Sequence, residues 1–167
     1  GASIAKICKE AEISPGHLYH YFSSKEEIVE QMADEYLRKL HGDFASHPEG
    51  QDTATVLLSE LWGMSGWNEV DHCRILFELL SEAGRSERIR EILRNNTASI
   101  RRMLADTLKA GQARGEVDPS LDVGHTSAML IAVLDAAPML PLMVPDVSFE
   151  ESRKLLTTMI TRFLRPQ

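Results

Sequence analysis

The strongest constraint on the fold lies near the start of the chain, where two short helical segments are separated by a turn. Residues 4–11 place four apolar side chains at helical spacing on one face: Ile4, Ile7, Cys8 and Ala11. After the turn, Ser14 is a favourable N-cap, and Pro15 occupies the first helical position, where its missing N–H costs nothing. The helix that follows ends near Phe22, and a helix of barely two turns must be held by packing on its neighbours.

The second helix divides into a packing face and an outward face. Leu18 and Phe22, four residues apart, supply the packing. The remaining surface carries Gly16, His17, Tyr19, His20 and Tyr21. A short helix with small and polar residues at its N-terminus, braced on an apolar helix by a tight turn, is the helix-turn-helix design that enters a DNA major groove.

The stretch SPGHLYHYFSSKEEIVEQM resembles the TetR family of bacterial transcriptional regulators. Residue types and spacing both match the family pattern at Leu18, Tyr19, Tyr21, Phe22, Ser24, Lys25 and Glu26. The resemblance implies an all-α protein with a helix-turn-helix head over residues 1–46 and a helical ligand-binding and dimerisation domain over 47–167. It also implies an extra helix ahead of Ser3, so we expect the head as given to be partial, loosened and weak in DNA binding. A nanomolar operator affinity of this chain would contradict that expectation.

Eight residues of the head are candidates for DNA contact: Ser3, Ser14, Pro15, Gly16, His17, His20, Tyr21 and Lys25. The resemblance implies that residues 15–17 approach bases, and Gly16 permits a close backbone approach. His17 departs from the commoner Thr or Ser, and Tyr21 resembles the phosphate-contacting tyrosine of the family. Lys25 is expected to meet a phosphate together with the N-terminus of the next helix. Tyr19 fits either the surface or the core.

Composition bounds the function in several ways. The net charge of −7 argues against a protein that coats nucleic acid generally, but a specific binder makes its phosphate contacts locally. Two cysteines, Cys8 and Cys73, indicate no disulfide framework and favour a cytoplasmic protein. His17 and His20 lack further metal ligands nearby, so no metal and no cofactor are predicted. There is no phosphate-binding glycine loop and no catalytic signature, so an enzyme is not predicted.

The rest of the chain reads as helices. The connecting helix is predicted over 24–47, with Ser24 and Glu27 as a capping box. Further helices are predicted over 53–65, 71–83, 87–113 and 122–142, with a last one capped by Ser148 and Glu151. Pro138 is expected to kink the helix over 122–142, and this apolar stretch is too interrupted to span a membrane.

The last two helices are apolar nearly all round, which predicts cover from a second subunit. The expected homodimer interface consists of Leu130, Leu134, Asp135, Leu156, Met159, Ile160 and Phe163. Asp135 has three open interpretations: it lines a ligand pocket, bonds across the dimer, or caps the backbone freed by Pro138. The structural roles are favoured over the ligand role.

The sequence gives its weakest signal for a small-molecule effector site. Its candidate residues are Trp62, Met64, Trp67, Phe77, Met103 and Met129. Ordinary core packing is the favoured interpretation of each one, although their number predicts some pocket. Together these features predict a ligand-responsive repressor that binds a palindromic operator as a dimer, and that an effector releases by swinging the connecting helix. The alternative is a helical ligand-binding or protein-interaction module that no longer binds DNA.

Overall fold

The computed structural model describes residues 3–45, 50–63 and 69–166, apart from the side chains at positions 45, 60–63, 69–73, 138 and 142. These residues form α-helices joined by turns, and none of them lies in a β-strand. The predicted all-α fold is confirmed. Within the same residues, no helix combines the length and the apolar character needed to cross a bilayer.

The head consists of three helices. These are α1 (Ile4–Glu10), α2 (Pro15–Tyr21) and the long connecting helix α3 (Lys25–Ala45). Their starts agree with the capping signals, since Ser14 Oγ accepts a hydrogen bond from the His17 amide at 3.1 Å. The sequence therefore predicts the two helix-turn-helix segments to within about one residue.

The body consists of the remaining helices. They are α4 (Thr53–Gly63), α5 (Glu69–Ala83), α6 (Glu87–Ala113), α7 (Val123–Ala136), α8 (Leu140–Met143) and α9 (Phe149–Leu164). The predicted capping box of α9 is confirmed, because Ser148 and Glu151 exchange both expected hydrogen bonds. α6 ends at Ala113, and Gly115 adopts a left-handed φ of 73° just beyond it, a conformation that glycine favours at helix ends.

The prediction of one continuous helix over 122–142 is wrong. α7 ends at Ala136, a 3₁₀ turn covers Ala137–Met139, and the short α8 follows. Proline has no N–H for an α-helical hydrogen bond and clashes with the preceding turn, so Pro138 ends α7 instead of bending it. Pro141 is the second residue of α8, near the helix N-terminus, where proline is tolerated.

The main core forms around α6, which is the central helix of the body. Ile100, Leu104 and Leu108 of α6 are buried at helical spacing. They share one cluster with side chains from the surrounding helices: Leu40, Leu57, Leu58, Leu130, Ile160 and Leu164. Because Leu40 belongs to α3, the connecting helix is packed directly into the body.

A second, smaller core joins α3 to the corner between α5 and α6. It contains Val29, Ala83, Ile89 and Ile92, all buried. Val29 lies one turn from the start of α3, close to α2 in the chain. The head is therefore braced by the body at its base, and the α5–α6 corner is the element that braces it.

A polar latch ties the start of α4 to the turn after α6. The Glu116 carboxylate accepts hydrogen bonds from the Thr53 amide at 3.0 Å and from its hydroxyl at 2.5 Å. Arg114 donates to the same carboxylate at 3.0 Å and to Thr53 Oγ1 at 2.8 Å. The bonds from Arg114 and then Thr53 lower the pKa of Glu116 from its ordinary 4.5 to about 2.

The latch predicts a pH-dependent loss of stability. We expect Glu116→Gln to lower the free energy of unfolding by about 1–2 kcal/mol at pH 7, because charged hydrogen bonds are lost. The folded-state pKa lies below the unfolded one, so this contribution is complete above pH 4.5 and is lost as pH falls toward 2. Urea unfolding of both proteins across that range measures it. Glu150→Gln, which breaks an exposed pair with Lys154, is the control and should change little.

Candidate nucleic-acid interface

The helix-turn-helix is held together by two buried side chains, one from each helix. Cys8 of α1 and Leu18 of α2 are both almost fully buried. The turn between them is tight: the Ile13 amide donates to the Cys8 carbonyl at 3.0 Å, and Glu12 adopts a left-handed φ of 54°. The remaining side chains of α2 are consequently fixed on the outside.

The outward face of α2 is an aromatic and imidazole cluster. Tyr19 and Tyr21 are 55% and 63% exposed, which places Tyr19 on the surface and not in the core. Tyr21 makes edge-on ring contacts with His17 and His20, whose centroids lie 5.4 and 5.1 Å from its own. These contacts restrict the phenol while leaving its hydroxyl accessible, so the cluster presents hydrogen-bonding groups on a stiff support.

The N-terminal end of α2 is open to close approach. Pro15, Gly16 and His17 are all exposed. A Cβ built on Gly16 would meet only Ser14 Oγ, at 4.0 Å, so the backbone is unshielded on its outer side. Ser3 and Ser14 are also exposed, but their hydroxyls accept hydrogen bonds from the Lys6 and His17 amides as helix caps. The candidate residues at positions 14–17, 20 and 21 therefore lie on one exposed helix and its cap, and the two serines have a structural role as helix caps.

The link from α2 to α3 differs in one detail from the predicted capping box. Ser24 Oγ accepts from the Glu27 amide at 3.1 Å, as expected. The Glu27 carboxylate, however, accepts from the amide and hydroxyl of Ser23, both at 2.6 Å, and not from Ser24. These bonds lower the pKa of Glu27. The Glu27 side chain thus binds Ser23, one residue earlier than predicted, and the link between the two helices is short.

Lys25 lies apart from the α2 cluster. Its ammonium forms an ion pair with the Glu82 carboxylate of α5 at 3.5 Å, and only 26% of its side chain is exposed. Glu82 also pairs with Arg85 at 3.2 Å, and Arg85 and then Lys25 lower the pKa of its carboxyl. The predicted phosphate contact of Lys25 is therefore not available in this conformation.

Of the candidate effector residues, the three whose side chains are described do not converge on one enclosed site. Phe77 and Met129 are 45% and 63% exposed, so they do not line an interior pocket. Met103 is half-buried and packs against the main core. Met64 and Trp67 lie outside the described residues, as does the side chain of Trp62.

A polar pair lies between α3 and α7 instead. Asp135 is half-buried on α7, and burial raises its pKa to about 6. Burial, and after it the charge of Asp135, raises the pKa of Tyr36 on α3. The two side chains are therefore near each other inside one subunit, where a carboxylate and a phenol interrupt an apolar environment.

The predicted dimer interface separates into two sets. Leu130 and Ile160 are buried in the main core, so they pack inside the chain and are not available to a partner. Leu134 and Leu156 are half-buried. Met159 and Phe163 are more than half exposed. Other exposed apolar side chains on α7, α8 and α9 are Met129, Leu140, Met143 and Leu155.

Two further features of the described residues bear on small ligands. No group of three or more His, Cys, Asp or Glu side chains in this part of the chain is arranged to hold a metal ion. A surface groove lies between α3 and α6, with a volume of about 560 Å³, and is lined by Ser23, Ser24, Glu26, Glu27, Glu30, Gln31 and Arg88. Its lining is acidic and polar, which does not suit a lipophilic ligand.

Comparison with known proteins gives a consistent set of similarities. The family of bacterial regulatory proteins, tetR family, matches residues 1–32, and the BetI-type transcriptional repressor C-terminal family matches residues 68–165. The chain is 25% identical over 130 residues to the HTH-type transcriptional regulator UidR of Escherichia coli (strain K12), covering 78% of this chain and 66% of UidR. It is 31% identical over 126 residues to the HTH-type transcriptional repressor KstR2 of Mycolicibacterium smegmatis, covering 72% of this chain and 60% of KstR2.

The fold comparison agrees. The structure of Salmonella enterica GusR matches with a TM-score of 0.74 and 26% sequence identity, covering 98% of this chain and 85% of that one. The chain spans less than two thirds of the length of UidR and of KstR2. Both of these relatives are named as helix-turn-helix-type regulators.

Proposed function

Because the chain belongs to the TetR family of bacterial transcriptional regulators, we propose that it is a DNA-binding repressor that acts as a dimer and responds to a small molecule. The observation that carries the proposal is the outward face of α2. His17, His20 and Tyr21 are exposed there, while Leu18 alone is buried. Members of this family are transcriptional regulators and not enzymes.

The chemistry of this face suits a major groove. Imidazole nitrogens and a phenol hydroxyl both donate and accept hydrogen bonds, which is what base edges and phosphate oxygens require. Gly16 leaves the backbone open, so the helix end can lie close to the DNA. Repression needs no further contacts, because an occupied operator excludes other proteins by occlusion.

A dimer follows from the apolar surface of α7 and α9. Met129, Met159 and Phe163 are exposed, and they repeat on a two-fold partner to give a self-complementary patch. Two heads related by such an axis read half-sites about 34–36 Å apart. A palindromic operator is therefore the expected target.

The effector is proposed to bind near Tyr36, Met103 and Asp135, between α3, α6 and α7. Tyr36 and Met103 pack against the main core, and Asp135 supplies a polar anchor near Tyr36. A ligand there touches α3, which carries the head. It releases DNA only if it binds better to a conformation in which α3 has moved, since equal affinity for both states shifts nothing. A body-binding ligand that leaves operator affinity unchanged would contradict this mechanism.

The DNA-binding proposal is tested on a duplex that the chain itself selects from a random-sequence library. We expect His17→Ala/Tyr21→Ala to weaken binding of that duplex about 30-fold or more in a mobility-shift assay, because two contacts of about 1–3 kcal/mol each are lost. His125→Ala, an exposed histidine on α7, is the matched control and should bind like the unchanged chain. Selection of no duplex would favour the alternative, an interaction module without DNA binding.

A further inference from the structure

Lys25 is a cation at the start of α3, next to α2 in the chain. Its side chain is turned toward the body. Lys25 Nζ lies 3.5 Å from Glu82 Oε2, and each side chain is about three quarters buried. Lys25 follows Tyr21 by four residues, so the two Cα atoms are within about 14 Å of each other. A phosphate bordering the groove that α2 enters is thus within reach of the Lys25 side chain, but only if Lys25 leaves Glu82.

Glu82 does not depend on Lys25 for its charge balance. Arg85 Nη2 lies 3.2 Å from the same Oε2 atom, so two cations share one carboxylate oxygen. The carbonyl of Glu82 also accepts from the amides of Arg85 and Ser86, both at 2.8 Å, which fixes Glu82 at the α5–α6 corner. When Lys25 departs, Glu82 and Arg85 remain a neutral pair, so no buried charge is left unpaired.

The base of α3 stays in place when Lys25 moves. Val29 is packed in the small core with Ala83 and Ile89. Arg88 of α6 holds Glu30 of α3 through two hydrogen bonds of 2.7 and 2.9 Å. A rotation of the Lys25 side chain alone therefore changes its partner, without a rearrangement of α2 or α3.

We propose that Glu82 competes with the DNA backbone for Lys25, so that the α5–α6 corner lowers operator affinity by withholding one phosphate contact. This inference rests on the proposed DNA-binding function and adds a means of regulating it. Any change in the body that draws the end of α5 away from α3 frees Lys25 and strengthens DNA binding. A change that presses them together has the opposite effect, while the base-reading face of α2 stays as it is.

The test is a double-mutant cycle on the full chain with its selected duplex. Glu82→Gln keeps the shape of the side chain and removes its charge, and we expect it to tighten binding about three- to fivefold at low salt, the scale of one partly exposed ion pair. Lys25→Gln should weaken binding. In the Lys25→Gln background, Glu82→Gln should have no effect. The plot of log affinity against log salt concentration should steepen for Glu82→Gln by up to about 0.9, the value of one added phosphate contact.

Two controls separate competition from a general effect of charge. Glu82→Asp keeps the charge but withdraws the carboxylate from Lys25, so it should tighten binding less than Glu82→Gln yet in the same direction. Glu26→Gln removes a carboxylate from the first turn of α3 while leaving the Lys25–Glu82 pair and the Arg88–Glu30 pair intact, and should change affinity less than either. Circular dichroism confirms equal helical content in all variants.

The outcomes are separable. An equal gain from Glu82→Gln with and without Lys25, or no gain at all, overturns the competition while leaving DNA binding intact. A gain from Glu26→Gln as large as that from Glu82→Gln also overturns it. If the unchanged chain binds no selected duplex, the proposed function fails and the competition fails with it.

Discussion

Replacing Gly111 with alanine is expected to lower the free energy of unfolding by about 1–3 kcal/mol, although alanine is the better helix former. A Cβ built on Gly111 would lie 2.5 Å from Thr53 Oγ1 and 2.7 Å from Val117 Cγ2. Neither neighbour can yield easily. Val117 is 1% exposed, and Thr53 is held by Glu116 and Arg114 in the latch at the start of α4.

A second glycine provides the matched control. Gly42 lies in α3, and a Cβ built there meets nothing within 4 Å. Gly42→Ala should therefore raise the free energy of unfolding by up to about 1 kcal/mol, since it removes backbone freedom from the unfolded chain at no steric cost. Urea unfolding of the two variants should shift in opposite directions. A stabilising Gly111→Ala would mean that α4 and α6 are less tightly packed than the structure has them.

The contrast between these glycines shows where sequence reasoning succeeds. Helix starts depend on neighbouring residues, so Ser14 with Pro15, and Ser148 with Glu151, identify α2 and α9 correctly. The apolar spacing of α6 is likewise a local property, and Ile100, Leu104 and Leu108 are among its buried residues. Fold class follows from such local patterns because each helix must bury one stripe.

What the sequence did not reveal depends on which elements meet. Gly42 and Gly111 both lie near the C-terminal end of a long helix, and only the approach of Thr53 and Val117 to Gly111 distinguishes them. Lys25 carries every signal of a phosphate contact, but its partner Glu82 is distant in the chain, and no spacing rule connects them.

Apolar residues pose the same difficulty. Periodicity identifies Leu130, Ile160, Met159 and Phe163 as apolar without saying which of them another helix of the same chain covers. The structure buries the first two in the main core and exposes the last two. The candidate DNA-contacting face was easier to predict, because α2 is so short that one buried residue, Leu18, determines which side faces out.

Replacing two exposed residues of α9 is expected to have a large effect on dimerisation. Phe163→Glu, combined with Met159→Glu, should convert the proposed dimer to a monomer at micromolar concentration. Burying each such side chain contributes about 1.5–3 kcal/mol, and a two-fold interface counts every residue twice. The glutamates would instead place charges where no partner or water can compensate them, and would repel their symmetry copies. Sedimentation velocity measures the mass of each form directly.

Loss of the dimer should also weaken DNA binding. A monomer engages one half-site, so the second head no longer binds at the high effective concentration that the dimer provides, and operator affinity should fall by roughly 100-fold or more. Leu80→Glu is the matched control, since Leu80 is a similarly exposed apolar residue on a different helix, α5. It should leave both mass and affinity unchanged. If Leu80→Glu dissociated the protein while the α9 variant stayed dimeric, the interface would lie on α5, and the two heads would be spaced by a different pair of helices from the one proposed.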